Sequence, residues 1–194
     1  KVITLSGPDG YIYDPDCVTT DEKINYLVTM RNSGRDKVQD YADKFGCQFF
    51  PKEKPWGVKA DIIMPSATQN DVTMPWAEKI AANQIKYYIE VANMPTTNDA
   101  LYFLMQQPGM IVAPSKAVNA GGVAVSALEM SQNSMRMSWS FEEVDSHLKK
   151  IMTDLYHNAS NAAAQYGKPG DLVAGANIAG FLKVADAMLA QGVC

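Results

Sequence analysis

The chain has 194 residues, of which 47% are hydrophobic and 20% charged, and its formal net charge at pH 7 is -4. This length suits one globular domain, or one large domain with an appendage, and the composition is that of an ordinary soluble fold. The acidic balance, without a cluster of lysines or arginines, argues against a nucleic-acid surface. No apolar run approaches the roughly 20 residues that cross a bilayer, and no basic-then-apolar signal opens the chain. We therefore predict that the protein binds neither nucleic acid nor membrane.

The cysteines and histidines predict neither a disulfide framework nor a metal site. Cys17, Cys47 and Cys194 are odd in number and far apart in the sequence, so no paired metal-binding motif is indicated and a reducing cytoplasm fits best. His147 and His157 fall on nearly the same face of a predicted helix without a third ligand nearby. We interpret both histidines as structural or solvated side chains.

Short apolar runs with β character alternate with helical patterns over most of the first 118 residues. Strands that alternate with helices predict parallel pairing, and hence an α/β fold with a doubly wound Rossmann-type sheet. The predicted strands span residues 2–6, 11–13, 48–50, 61–64, 87–91 and 110–113.

Helices are predicted where a capping residue precedes an apolar stripe. Residues 19–22 have the form of a capping box, with Ile24, Leu27, Val28 and Met30 on the apolar face of the helix that follows. Further helices are expected over residues 38–45, from 75 to 83, and from a cap at 96 or 97 to 107. Beyond residue 119 only helices are predicted, one of them opened by a capping box at residue 140 and the last spanning 178–191.

The domain organisation follows from this change of pattern. We expect an incomplete dinucleotide-binding domain over residues 1–138, and a helical C-terminal segment over residues 139–194 that packs on it. The opening strand ends in the acidic turn GPDG, which is typical of the second strand of such a domain. No Gly-x-Gly-x-x-Gly occurs, and a sheet that lacks its central first strand leaves backbone groups unpaired. We therefore expect a longer polypeptide to supply the first strand and its glycine turn.

Three polar turns follow the predicted strands, where ligands bind in sheets of this kind. They read PSATQN, ANMPTT and PSKAVNAGG, and each consists mainly of small residues and uncharged amides. A nicotinamide carboxamide needs a donor and an acceptor, which Asn119 offers, and Gly121 and Gly122 permit close approach. For each turn alone, the alternative is that Asn and Thr cap helices and Gly turns the chain. Three such turns on one sheet edge favour a nicotinamide site.

The quoted turns, with KVITLSGPDGYIYDP at the start and VAGANIAGFLKVADAMLAQG at the end, resemble the hexameric bacterial glutamate dehydrogenases. The likeness is greatest to the NAD-dependent clostridial type, and it covers essentially the whole chain. The resemblance implies that Gly7, Pro8 and Asp9 meet the adenosine ribose. The dinucleotide cleft would be lined by Ala67, Thr68, Gln69 and Asn93, the nicotinamide end would meet Asn119, and the glutamate pocket would include Val123 and Ser126.

The implied reaction is the reversible oxidative deamination of L-glutamate to 2-oxoglutarate and ammonium with NAD. No catalytic residue is assigned here, because the family's catalytic lysine and aspartate lie in an N-terminal substrate domain that this sequence lacks. A chain without them is expected to be inactive alone. The resemblance also implies a cytoplasmic homo-hexamer. The alternative is a non-catalytic binding or interaction module that keeps the dinucleotide fold.

Two details bear on the ribose end of the predicted site. Asp9, Asp14 and Asp16 surround its turn and no arginine precedes Arg31, so charge favours NAD over NADP, whose 2′-phosphate needs a basic partner. Cys17 stands where the family usually has glycine, and would be strained if its φ were positive. Ser66, in place of the usual cysteine, should leave backbone contacts intact.

Overall fold

The computed structural model describes residues 1–35 and 37–192, so Cys194 lies outside the described residues. The chain forms two compact units, Lys1–Val58 and a second that begins at Lys59. This boundary lies within the segment expected to be one dinucleotide-binding domain. The division at residue 138 stays a prediction.

The first unit contains a three-stranded sheet of β1 (Thr4–Gly7), β2 (Gly10–Tyr13) and β3 (Gln48–Pro51), in that order. All three strands were predicted, but their predicted parallel pairing is wrong, because both pairs are antiparallel. Gly7 pairs with Gly10 across a two-residue turn, which returns the chain directly as a hairpin. At Gly10, where φ is +151°, a side chain would collide with the Phe50 carbonyl of β3.

Two helices cover this sheet, α1 (Asp21–Asn32) and α2 (Val38–Phe45). Helix α1 begins at Thr20, whose hydroxyl accepts the Lys23 backbone N–H, and α2 ends at Gly46 in the left-handed conformation. The apolar face predicted for α1 is only partly correct, because Ile24 and Val28 are exposed. The buried core of the unit consists of Ile12, Val18, Val38, Tyr41 and Ala42.

A buried carboxylate crosslinks this unit. The side chain of Asp14, 2% exposed, accepts hydrogen bonds from Lys23 Nζ at 2.6 Å and Tyr41 Oη at 2.8 Å. Burial raises the pKa of the Asp14 carboxyl, but these two hydrogen bonds and the Lys23 charge outweigh burial and hold it below its ordinary value. Burial and the bond to Asp14 raise the pKa of the Tyr41 hydroxyl. Nearby, Cys17 has φ +72°, so the condition under which strain was predicted is met.

The second unit contains a parallel sheet of β4 (Ile62–Ile63), β5 (Tyr87–Ile89) and β6 (Ile111–Ala113), in that order. Helix α3 (Met74–Ala82) connects β4 to β5, and α4 (Asn98–Met105) connects β5 to β6. Pro75 lies in the first turn of α3, where its missing N–H is not needed. The predicted α/β class, with a parallel sheet and flanking helices, is confirmed.

The chain then becomes entirely helical, as predicted, through α5 (Ser115–Val118), α6 (Ala120–Met135), α7 (Phe141–Gln165) and α8 (Leu172–Gln191). Both bonds of the predicted capping box at Ser140 are present. Helix α8 begins six residues earlier than the predicted 178, with Asp171 capping the Ala174 N–H. It packs along α7, where a side chain on Gly175 would collide with the Ala159 carbonyl.

The length and composition of α8 overturn one expectation. Helix α8 has 20 residues and a mean hydropathy of 1.5 over an 18-residue window. By length and composition alone, it is long and apolar enough to cross a membrane. Only Lys183 and Asp186 carry charge within it. The statement that no apolar run approaches membrane-spanning length is therefore wrong. Core helices of soluble proteins pass the same test, so this one helix is weak evidence for a membrane span.

Candidate functional site

The three predicted turns lie at one edge of the parallel sheet, because the carboxyl ends of β4, β5 and β6 point the same way. Backbone hydrogen bonds join the first two turns. The Pro65 carbonyl accepts the N–H groups of Val91 and Ala92, at 3.1 and 3.0 Å. Farther along, the Asn70 N–H donates to the Met94 carbonyl at 3.0 Å. The turn after β4 and the turn after β5 therefore form one connected rim.

The third turn joins this rim through a side-chain bond between the two predicted asparagines. Asn119 Nδ2 donates to Asn93 Oδ1 at 2.6 Å. Asn119 follows β6 and Asn93 follows β5, so residues 26 positions apart meet as the parallel order requires. Each amide keeps further hydrogen-bonding capacity, because a carboxamide carries two N–H donors and two acceptor lone pairs. The pair can therefore bind a ligand that presents both a donor and an acceptor.

A cleft of about 470 Å³ opens beside this pair. Its lining mixes amide, ammonium and aliphatic side chains, contributed by Val91, Asn93, Lys116, Asn119, Ala120 and Val123. None of these described residues carries a carboxylate, imidazole, thiol or hydroxyl. The cleft is suited to binding and orienting a polar ligand.

Lys116 also lines the cleft, although it was not among the predicted site residues. Its ammonium donates to Asn177 Oδ1 of α8 at 2.5 Å. The bond connects α8 to the turn after β6, and the ammonium retains two other donors. The available signal was Asn177 itself, a lone amide in the small and apolar stretch of α8.

The remaining predicted residues of this unit lie around the cleft. Val123, on α6, lines it and is 71% exposed. Ser126 is exposed one helical turn farther along α6, outside the lining. The exposed turn after β4 also lies outside the lining and contains Ala67, Thr68 and Gln69. The structure thus brings Asn93, Asn119 and Val123 together and leaves the other four on neighbouring surfaces.

The two predicted glycines differ in their surroundings. A Cβ on Gly122 would meet nothing within 4 Å, so its backbone faces open space that a ligand can approach. A Cβ on Gly121 would lie 3.5 Å from Leu148 Cδ1 of α7, an ordinary contact. Close approach is therefore available at Gly122, while Gly121 faces the next helix.

The predicted ribose turn lies in the first unit, between β1 and β2. The Asp9 carboxylate there accepts the backbone N–H groups of Val38 and Gln39, at 3.2 and 3.0 Å. It thereby caps α2, whose own N-cap residue, Lys37, makes no side-chain bond. Gly7 and Pro8 complete the turn. Sequence reasoning missed this capping role, because Asp9 and α2 are nearly 30 residues apart.

Burial raises the pKa of Tyr88, which keeps the hydroxyl protonated at neutral pH, and its oxygen lies 2.7 Å from the Thr96 hydroxyl inside the unit. Among the residues that the structure describes, no group of three His, Cys, Asp or Glu side chains could hold a metal ion.

The fold is of the α/β class, with an amide-lined cleft at the carboxyl edge of its parallel sheet. The sequence model of the glutamate/leucine/phenylalanine/valine dehydrogenase family matches residues 1–192, and the chain belongs to that family. The resemblance drawn from the motifs is thereby confirmed.

Individual proteins similar to this chain are named as glutamate dehydrogenases. The chain is 70% identical over its whole length to the NAD-specific glutamate dehydrogenase of Clostridium symbiosum, and 47% identical to the NADP-specific glutamate dehydrogenase of Haemophilus influenzae. A solved glutamate dehydrogenase structure, 70% identical, superposes with a TM-score of 0.96 over all of this chain. In each comparison the chain spans 43% of the relative's length.

Proposed function

We propose that this chain is the cofactor-binding portion of a glutamate dehydrogenase, which catalyses reversible oxidative deamination of L-glutamate to 2-oxoglutarate and ammonium. The observation that carries the proposal is the hydrogen-bonded pair Asn93–Asn119 beside a cleft in a chain of this family. The 70% identity to a protein named as a glutamate dehydrogenase selects this substrate within the family.

The amide pair fits a nicotinamide cofactor. Asn119 and Asn93 would hold the carboxamide, whose own donor and acceptor match what the pair leaves free. Gly122, with open space in front of it, would allow the ring to lie close to the backbone. A bound nicotinamide would supply a hydride acceptor for the α-carbon of glutamate. The residues of this chain would orient that ring and shield it on one side, with Val123 as an apolar wall of the cleft.

We propose NAD as the cofactor in preference to NADP. Asp9 places a carboxylate in the predicted ribose turn, and a 2′-phosphate there would be repelled. The charge argument is weaker at Asp14, because that carboxylate is buried and paired with Lys23. The name of the 70% identical relative supports NAD, while a 47% identical relative is named NADP-specific.

The rest of the proposal concerns the whole protein. The catalytic lysine and aspartate would come from an N-terminal substrate domain, as in the family. The assembly would be a homo-hexamer in the cytoplasm, without nucleic-acid or membrane partners. The isolated chain would then bind cofactor weakly and turn over no substrate.

The proposal is tested on the full-length polypeptide that contains this sequence. Purified protein should oxidise NADH when 2-oxoglutarate and ammonium are both present, and NADPH much more slowly. Asn119→Leu should raise the KM for NADH by about tenfold, since leaving the carboxamide of the bound ligand without a partner costs roughly 1–2 kcal/mol. Glu129→Gln, exposed on α6, is the control. Binding of NADH without turnover would favour the non-catalytic module instead, and absence of both would overturn the proposal.

A further inference from the structure

A buried carboxylate precedes Asn93 by three residues. Glu90 follows the last residue of β5, and its side chain is 2% exposed. Its backbone continues the ladder to β6, with the Glu90 N–H donating to the Ala113 carbonyl at 3.0 Å. Placing a carboxylate in such surroundings is unfavourable unless hydrogen bonds stabilise it. The hydrogen-bond partner of this side chain therefore indicates its role.

The Glu90 carboxylate binds the turn that bears Asn119. Its Oε2 accepts the backbone N–H of Ser115 at 3.1 Å. Ser115 begins α5, a single helical turn, and its carbonyl accepts the Asn119 N–H at 2.9 Å. Asn119 in turn donates through Nδ2 to Asn93, three residues after Glu90. The hydrogen bonds and the chain from Glu90 to Asn93 form a closed ring that includes both amides.

Both side-chain anchors of this ring follow β5. Glu90 binds the start of the turn after β6, at Ser115, and Asn93 binds its end, at Asn119. A hydrogen bond that a carboxylate accepts from a backbone N–H is roughly twice as strong as a neutral one. With Ser115 held, the single turn of α5 has little freedom, and the Asn119 amide keeps its direction toward the cleft.

We propose that Glu90 is a positioning residue, which acts through Ser115 to orient the Asn119 amide toward the carboxamide of a bound nicotinamide. The inference rests on the proposed function, because it assigns the ligand of the cleft. It gives Glu90 no contact with the cofactor and no part in proton transfer. Its effect should be confined to the nicotinamide end of the ligand.

The test compares two ligands on the full-length protein by isothermal titration calorimetry. NADH carries the nicotinamide, whereas ADP-ribose has the same adenosine, pyrophosphate and second ribose without it. Glu90→Ala should weaken NADH binding by up to about tenfold, the loss expected for Asn119→Leu, because Glu90 acts only through the orientation of the Asn119 amide. Binding of ADP-ribose should change less than twofold. Glu78→Ala, exposed on α3, should alter neither.

Glu90→Gln serves as the second variant, because its amide oxygen can still accept the Ser115 N–H. It should weaken NADH binding by only a few-fold, again without affecting ADP-ribose, and it decides the matter if Glu90→Ala does not fold. Equal weakening of both ligands would indicate general structural damage and overturn the inference, as would unchanged NADH binding. Failure of the wild-type protein to bind either ligand would instead overturn the proposed function.

Discussion

At the scale of single residues, two buried carboxylates connect segments that lie far apart in the sequence. Asp14 joins the end of the first hairpin to α1 and α2 through Lys23 and Tyr41. Glu90 joins β5 to the turn after β6. Both carboxylates accept hydrogen bonds. A neutral or shorter side chain at either position would lose part of this bonding. Single substitutions at these positions should therefore have effects beyond their immediate neighbours.

The Asp14 carboxyl should make stability depend on pH in acid. Its folded pKa is lowered, so the stabilisation is present above the unfolded pKa of about 3.9. It is lost as the pH falls through the still lower folded value. In urea unfolding of the chain between pH 7 and pH 3, Asp14→Asn should reduce stability at pH 7 by about 2 kcal/mol and flatten the decline below pH 4.

Asp43→Asn is the matched control for this experiment, since Asp43 is exposed on α2 of the same unit. Tyr41→Phe removes one of the two side-chain donors and should give a smaller loss at pH 7. An acid decline in Asp14→Asn as steep as that of the wild-type chain would show that another group is responsible.

At the scale of elements, α7 and α8 pack so closely that one position between them admits only glycine. A Cβ on Gly175 would collide with the carbonyl of Ala159 and crowd the Ala163 methyl group. Five residues later, a Cβ on Gly180 would meet nothing within 4 Å. Both glycines lie inside the same helix. Comparing an alanine substitution at each position therefore separates the effect of packing from that of helix propensity.

Gly175→Ala should destabilise the chain by about 1–3 kcal/mol, because the collision forces the two helices apart. Gly180→Ala should stabilise it by about 0.5–1 kcal/mol, since alanine favours helix and nothing obstructs its methyl group. Thermal unfolding followed by circular dichroism at 222 nm measures both. The packing account fails if the two variants shift the midpoint in the same direction.

Sequence patterns located every strand and most helix ends, because caps and apolar alternation are local signals. Antiparallel pairing of the first sheet was missed, since the turn between Gly7 and Gly10 was interpreted as a ligand-binding turn rather than a hairpin. The early start of α8 was missed because Gly175 lowers helix propensity, and packing on α7 overrides that preference. In α1, the helical spacing of apolar residues predicted that Ile24 and Val28 would be buried. The structure leaves both side chains exposed.

The candidate site was predictable as far as strand order determines it. Asn93 and Asn119 meet because they follow neighbouring parallel strands. The capping of α2 by Asp9, the Glu90–Ser115 bond and the Lys116–Asn177 bond were not predictable. Each depends on side-chain directions across 25 or more residues, and no local pattern encodes those.

At the scale of the whole molecule, large apolar side chains are exposed over the last three long helices. Phe181 is 67% exposed and Leu189 82% exposed on α8, with Val184 and Met188 also exposed on that helix. Contiguous apolar surface of this kind associates in water, because burial removes it from solvent. This association should be observable when the chain is studied alone.

The isolated chain should therefore self-associate at micromolar concentration in sedimentation velocity experiments. Replacing Phe181 and Leu189 together with lysine should shift the distribution toward the 21.2 kDa monomer, because charge opposes burial of that face. Gln191→Lys adds a charge at another exposed position of α8 and should change little. A monomeric wild-type chain at 50 µM or above would contradict the prediction.

The mutual bond of Asn93 and Asn119 also determines which hydrogen-bonding groups a ligand must present. With one N–H of Asn119 and one acceptor site of Asn93 already used at 2.6 Å, the pair still offers both donors and acceptors. A planar group that bears an N–H and a C=O can use both kinds without breaking the pair, whereas a ketone, which only accepts, leaves the acceptors unused. The pair thus favours ligands by their hydrogen-bonding pattern.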